Sequence, residues 1–378
     1  MARFAFVTCA ALPALTSDDR LAVAELEALG HHVTPVNWSD PSCDWTSFDA
    51  AVLRSCWDYH HRPDEFRTWL HRMASAGVRL INSVRLARWN MEKSYLRDLA
   101  SAGVATVPSR LVAQGTNPDL DALRGSLGAD SLVVKPTISA TADATWHIGE
   151  RDRTWPDGFH AALGQHDFLV QPFVPEIRNG EWSLILFDGV FSHAVLKRPK
   201  AGDFRVQHEF GGTAEAKSPP DQLVDLAGRI LGTLPETPVY ARVDGVETAG
   251  GFLLLELELL EPALFLATAG GAARRFADAI VARGEPSAAF RVPTSDFRPL
   301  TSLVSDAGAQ RRRIPDLLDL DVPVSDVEER LPVADADRAV AGCGRQEGTK
   351  VAGDTRLEIQ DLLDGVVTGT GQALQQRV

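Results

Sequence analysis

"YARVDGVETAGGFLLLELELLE", residues 240–261, sets Asp244, Glu256, Glu258 and Glu261 among leucines and valines. Two apolar runs flank a turn ending in Gly250 and Gly251, so the stretch reads as an antiparallel pair of strands. Strand side chains alternate between faces, which sends Glu256 and Glu258 to one side and Leu255, Leu257 and Leu259 to the other. Asp244, on the first strand, can reach the glutamate face. An unpaired carboxylate is costly to desolvate, so this face expects a cation. Three converging oxygen ligands suit a hard divalent ion such as Mg²⁺. The competing reading is a half-exposed hairpin, apolar inside and polar outside.

Outward from this hairpin, other segments supply positive charge. "LKRPKAGDFRVQHEFGG", residues 196–212, carries Lys197, Arg198, Lys200 and Arg205 near a Gly-Asp turn, and Gly211 and Gly212 offer backbone N–H groups to an anion. Lys93 stands at the expected start of a helix, "MEKSYLRDLASAG", and Lys135 at the end of the strand "SLVVK". Each of these also has a plain structural reading, as a solvated loop, a helix start or a sheet edge.

The remaining pattern divides the chain. Residues 1–90 alternate strand and helix: strands at residues 2–8, "HHVTPVN", "AAVLRS" and "RLIN", a helix capped by Ser17, and a second helix started by Pro63 and stopped by Gly77. This predicts an α/β domain with a parallel sheet. Residues 91–284 read as α+β, in two lobes of about 91–172 and 173–284. "FLVQPF", "EWSLILFDG" and "VFSHAVLKR" follow closely, the Asp188-Gly189 pair marks a hairpin turn, and a helix is expected at 219–233. Residues 285–378 carry charge clusters and prolines without a sustained apolar period, and read as a weakly packed or partly disordered appendage to which no role is assigned.

Bulk properties limit the partners. The chain has 378 residues and a formal net charge of −13, which argues against a nucleic acid or anionic membrane held by a general basic field. The four cysteines are scattered and form no C-x-x-C pair, which fits a cytoplasmic location better than secretion. No apolar run reaches the roughly 18–20 residues of a membrane span. The expected partners are small molecules, and assembly into a homo-oligomer is left open.

Taken in order, these motifs resemble the ATP-grasp superfamily, most visibly its glutathione synthetase and ribosomal-protein glutamate ligase branches. The resemblance covers most of residues 91–270 and implies a two-lobed ATP-grasp fold behind a pre-ATP-grasp domain. It implies ATP and Mg²⁺ as cofactors, with nucleotide contacts from Lys93, Lys135, Lys197, the hinge Gln171, Phe173 and Val174, and Glu181 at the ribose. Asp244, Glu256 and Glu258 fall on the metal segment, and Arg242 and Arg205 on catalytic positions. The segment "RSCWDY" and the ending "LELELLEPALF" look closest to the natural-product group that includes the cyclo-ligase of D-cycloserine biosynthesis.

That resemblance implies an ADP-forming carbon–nitrogen ligase that joins a carboxylate to an amine through an acyl phosphate, on an amino-acid-like substrate. Substrate contacts are expected from Arg54, Asp58 and Tyr59, after the third strand, and from Arg198, Gly211 and Gly212. Two departures stand out: the loop "PTISATADATW" after Lys135 lacks the usual glycines, and Ser183 replaces an arginine that some relatives use for substrate. A phosphotransferase without an amine acceptor, or a nucleotide-binding module with degenerate catalysis, are the alternatives. His60 and His61 lie beside the substrate loop with no metal spacing in sequence.

Overall fold

The computed structural model describes residues 1–207 and 210–284. The expected appendage at 285–378 lies outside them. Among the described residues the strands form three sheets.

The first is a parallel sheet of β1 (Arg3–Thr8), β2 (His32–Asn37), β3 (Ala50–Ser55) and β4 (Leu80–Ile81), in the order β2-β1-β3-β4. β1 and β3 are apolar on both faces because helices cover both. Phe4 and Phe6 pack toward α1 (Ser17–Ala28), while Ala5 and Val7 join the cluster of α2 (Pro63–Ser75) with Phe66, Trp69 and Leu70. Thr16, one residue before the expected Ser17, caps α1 by accepting from the Asp19 N–H at 3.0 Å.

The helix expected at 91–103 starts later than its sequence suggests and is preceded by another that was not expected. α3 (Val84–Asn90) and α4 (Tyr95–Ser101) are separate, and Lys93 lies in the turn between them. Its N–H leaves the helical path to bond the Thr137 carbonyl at 2.8 Å. α3 is tied to the far hairpin by Asn90, which donates to the Leu257 carbonyl and accepts from the Leu259 N–H, both at 2.7 Å.

The second sheet comprises β5 (Arg110–Val112), β6 (Leu132–Pro136), β7 (Trp146–Ile148) and β8 (Phe168–Pro172), in the order β5-β8-β6-β7, backed by α5 (Leu120–Leu127) and α6 (Phe159–Leu163). The third is antiparallel: β9 (Glu181–Phe187), β10 (Val190–Arg198), β11 (Thr213–Ala216), β12 (Tyr240–Thr248) and β13 (Gly251–Glu258), ordered β11-β10-β9-β12-β13. Asp188 and Gly189 turn β9 into β10 with φ of 48° and 77°, the left-handed pair a two-residue hairpin requires. α7 (Asp221–Leu231) covers one face with Leu223, Ala227, Ile230 and Leu231.

The first and third sheets share a core. α8 (Ala272–Gly284) puts Phe276 and Ile280 in one cluster with Phe4 and Phe6 of β1 and Phe187 and Tyr240 of the third sheet. Asn82 adds a polar lock, donating to the Tyr240 and Leu259 carbonyls at 2.8 Å each and accepting from the Val239 N–H at 2.6 Å. The end of the first sheet is thereby fixed beside the β12–β13 hairpin.

Candidate active site

The β12–β13 register sets Arg242 opposite Glu258 and Asp244 opposite Glu256, so cross-strand neighbours share one face. A bulge lies between Asp244 and Gly245. Only glycine fits at 245, because a Cβ there would come within 2.3 Å of the Phe252 ring and 2.5 Å of the Leu253 carbonyl oxygen.

Arg242 and lysines from three other places close on these acids. Arg242, on the same strand, grips Asp244 through Nε and Nη2 at 3.0 and 2.8 Å, and also bonds Glu258. Lys197, at the end of β10, lies 2.6 Å from Glu181 and 3.2 Å from Asp244. Lys93 lies 3.0 Å from Glu256 and donates to the Ser139 carbonyl at 2.9 Å. Lys135, at the end of β6, faces the same acids; burial brings its ammonium below its ordinary range, opposed by Glu256 and Glu181.

The charges are unequally balanced. Burial alone would raise Asp244, but Arg242 and Lys197 override it and bring it down to about 2, helped by the Ser183 hydroxyl, which donates at 2.6 Å. Burial also opposes ionisation of Glu256, yet Lys93 and Lys135 leave it below the usual carboxylate range. Glu258 is pushed up to about 7, first by burial and then by Glu256 and Asp244, despite Arg242. Glu261 rises to about 8, by burial and by Glu258, and hydrogen-bonds Tyr59. An acid cluster that stays short of positive charge with three lysines and an arginine nearby fits a divalent cation through hard carboxylate oxygens.

Other expected residues are placed differently. Arg54 is not presented to a substrate: it is 2% exposed, pairs with Asp19 at 2.8 Å and donates to the Pro262 carbonyl, because α1 and the chain after β13 close over the end of β3. Tyr59 is 4% exposed, with its ring against Phe66. Asp58 accepts from the Trp38 indole at 2.7 Å and pairs with Arg62 at 2.7 Å. Arg198 pairs with Glu215 at 3.3 Å.

In the Gly-Asp loop, Arg205 is folded back onto Asp203 at 2.9 Å, with its guanidinium 3.5 Å from the centre of the Phe210 ring. The Gly212 N–H donates to the Gln207 carbonyl at 3.1 Å instead of facing open space, and Gly211 holds the turn at φ 79°. At the expected hinge, Gln171 is buried and donates to Ser109 at 2.9 Å, and the Phe173 N–H bonds the Ser131 carbonyl at 2.9 Å with Val174 next in the chain. The Phe173 ring faces His147 at 4.4 Å between centroids.

Sequence reasoning placed Ser183 at a position some relatives use for substrate but missed it as a partner of Asp244. Its signal was its place opposite Asp244 in the β9–β12 register, which only the fold supplies. It also missed the carbonyl of Ser139, which carries no side-chain signal at all.

Lys93, Lys135 from the second sheet and the carboxylate hairpin of the third meet at one place, the arrangement of an ATP-grasp enzyme. Residues 4–82 match the family described as D-cycloserine synthetase DcsG, N-terminal domain, and residues 105–263 match the prokaryotic glutathione synthetase ATP-grasp domain. The cycloserine biosynthesis protein DcsG of Streptomyces lavendulae is 34% identical over 269 residues, covering 66% of this chain and 88% of that protein. The crystal structure of D-cycloserine synthetase DcsG superposes with a TM-score of 0.66 at 30% identity, over 75% of this chain and all of that one. D-alanine–D-alanine ligase of Bacillus anthracis, at 17% identity and a TM-score of 0.53 over 75% of this chain and 97% of its own, shares the fold. The chain belongs to the D-cycloserine synthetase family of ATP-grasp carbon–nitrogen ligases. Among the described residues no helix is long and apolar enough to cross a membrane.

Proposed function

We propose that the chain joins a carboxylate to an amine through an acyl phosphate, with release of ADP and phosphate, on an amino-acid-like substrate of secondary metabolism. The carrying observation is the meeting of Lys93, Lys197 and Arg242 with Asp244, Glu256 and Glu258 from separate segments of the chain.

In this reading Lys93 and Lys135 lie against the nucleotide phosphates, Gln171, Phe173 and Val174 border the adenine, and Glu181 and Lys197 border the ribose and phosphate side. Glu256 and Glu258, with Asp244, would hold Mg²⁺, which supplies charge neutralisation for phosphoryl transfer. The substrate carboxylate oxygen bonds the γ-phosphorus as the bond to ADP breaks. The nitrogen then bonds the acyl carbon, phosphate leaves, and the nitrogen gives up a proton. Arg242 stabilises the negative oxygen in both steps, with Asp244 fixing its fork.

Likeness to D-cycloserine synthetase supports a substrate that carries both acid and nitrogen and closes a ring. Arg205 enters the site in this reading by exchanging Asp203 for the substrate or the γ-phosphate. The test is ADP and phosphate release with a panel of amino acids bearing or lacking a side-chain nitrogen nucleophile, with free amines added separately. Release that needs acid and nitrogen together supports the ligase. Release with one acceptor and a phosphorylated product would make it a phosphotransferase, and no release with any pair would remove the reading.

A further inference from the structure

Beyond the hairpin, a second cluster of metal-ligating groups is assembled from two parts of the chain that sequence does not connect. The short 3₁₀ turn at Trp57–His61, after β3, carries His60 and His61, and the loop between β6 and β7 brings Asp143 against them. One ligand atom from each of the three lies within 4.8 Å of the others.

His60 is the most informative member. It is 8% exposed, and its Nδ1 lies 2.6 Å from the Trp57 carbonyl oxygen. A carbonyl can only accept, so Nδ1 carries the hydrogen and Nε2 is left with a bare lone pair. That Nε2 is buried and has no hydrogen-bond partner; the Asp143 carboxylate stands 3.7 Å away. Metal-bound histidines are typically oriented this way, with the other ring nitrogen donating to a backbone carbonyl. The His61 ring lies 3.8 Å from the His60 ring between centroids, tilted by 43°, and both His61 and Asp143 are exposed. The loop reaches this position through left-handed backbone at Thr141, Ala142 and Ala144.

We propose that His60, His61 and Asp143 form a site for a transition metal of the zinc class, separate from the carboxylate hairpin, that fastens the β6–β7 loop to the end of the first sheet. Two imidazoles and one carboxylate are a borderline donor set, which suits Zn²⁺ and disfavours Mg²⁺. Tetrahedral zinc with ligand bonds of about 2.0–2.2 Å needs donors about 3.3 Å apart. The two exposed side chains can close the difference while His60 stays fixed. The same loop carries Ser139, whose carbonyl holds Lys93, so fastening it holds that lysine's partner in place. The inference does not depend on which reaction the hairpin performs.

The test is zinc competition against a chromophoric chelator on the full chain, in excess Mg²⁺ so that hard oxygen sites are taken. The wild type is expected to bind one zinc, with His61→Ala and Asp143→Asn each weakening it by at least about tenfold. Both residues are exposed, so the variants should fold; matching thermal unfolding without metal checks this. Zinc should also slow proteolysis within residues 137–145 in the wild type and not in Asp143→Asn. An absence of zinc binding, or equal affinity in all three proteins, would overturn the site. Binding without loop protection would remove the fastening role.

Discussion

The ammonium of Lys93 lies 3.0 Å from the carboxylate of Glu256, joining the turn after α3 to the last strand of the third sheet. Glu256 is held ionised there against burial by Lys93 and Lys135. Replacing it with glutamine keeps the shape and removes the charge that both lysines and a metal would use. We expect Glu256→Gln to fold normally, since its side chain is 29% exposed, and to lower kcat for ADP release by about a hundredfold or more. Undiminished turnover would count against the assigned metal face.

Arg242 makes a harder demand on its shape. Its fork reaches Asp244 and Glu258 at once, and its Nη1 donates to the Ala263 carbonyl at 3.1 Å. A lysine offers one compact charge in place of that planar set of donors. Arg242→Lys should retain the fold with a lowered melting temperature and lose about a hundredfold in kcat/KM. Arg242→Ala leaves Glu258 without its cation and Asp244 with only Lys197 and Ser183, and should destabilise by about 3 kcal/mol. Paired melting and steady-state measurements separate the two effects, and a fully active Arg242→Lys would remove the oxyanion role.

The hairpin was legible because its signal is local: alternation along "LLLELE" fixes which side chains share a face, and turn glycines fix the pairing. The Asp188-Gly189 turn and the α/β pattern of the first sheet were readable for the same reason. What sequence could not show is closure at a distance. Arg54 sits in the last residues of β3, at a strand end where ligands often bind, yet α1 and the segment at Pro262 cover it. His60 and His61 show no metal spacing in sequence, and Asp143 arrives only through the path of the β6–β7 loop. Lys93 looks like a helix start, but its backbone is bonded to Thr137 across the fold.

Arg54 gives a direct contrast between a substrate contact and a buried brace. Its guanidinium bonds Asp19 and the Pro262 carbonyl, and lies 5.4 Å from the centres of the Tyr240 and Phe276 rings. Arg54→Ala removes the guanidinium that the buried Asp19 carboxyl is paired with in the core. The expected result is a loss of about 3–5 kcal/mol in chemical unfolding, with KM for the acid substrate unchanged in the protein that remains folded. A large rise in KM at unchanged stability would restore Arg54 to the substrate site.

Asp18 supplies a pH test away from the chemistry. Its Oδ1 accepts from the Ala267 N–H at 3.1 Å, while Oδ2 is buried without a partner. Burial, and then the charge of Asp19, push its carboxyl up to about 6. An acid raised in the folded state keeps its proton longer there than in the unfolded chain, so the folded state binds more protons between roughly pH 4 and 6. Its stabilising contribution is therefore complete below about pH 4, the ordinary aspartate range, and is lost as pH rises through about 6. Asparagine keeps the acceptor for Ala267 and never ionises. Asp18→Asn should be more stable than the wild type at pH 8 by about 1–2 kcal/mol, after allowing for residual solvent and for the favourable charge lost at the start of α1. Near pH 4 the advantage should disappear. Urea unfolding of both proteins at the two pH values decides it: a difference that does not change with pH, or a variant weaker at pH 8, would show that Asp18 ionises freely in the fold.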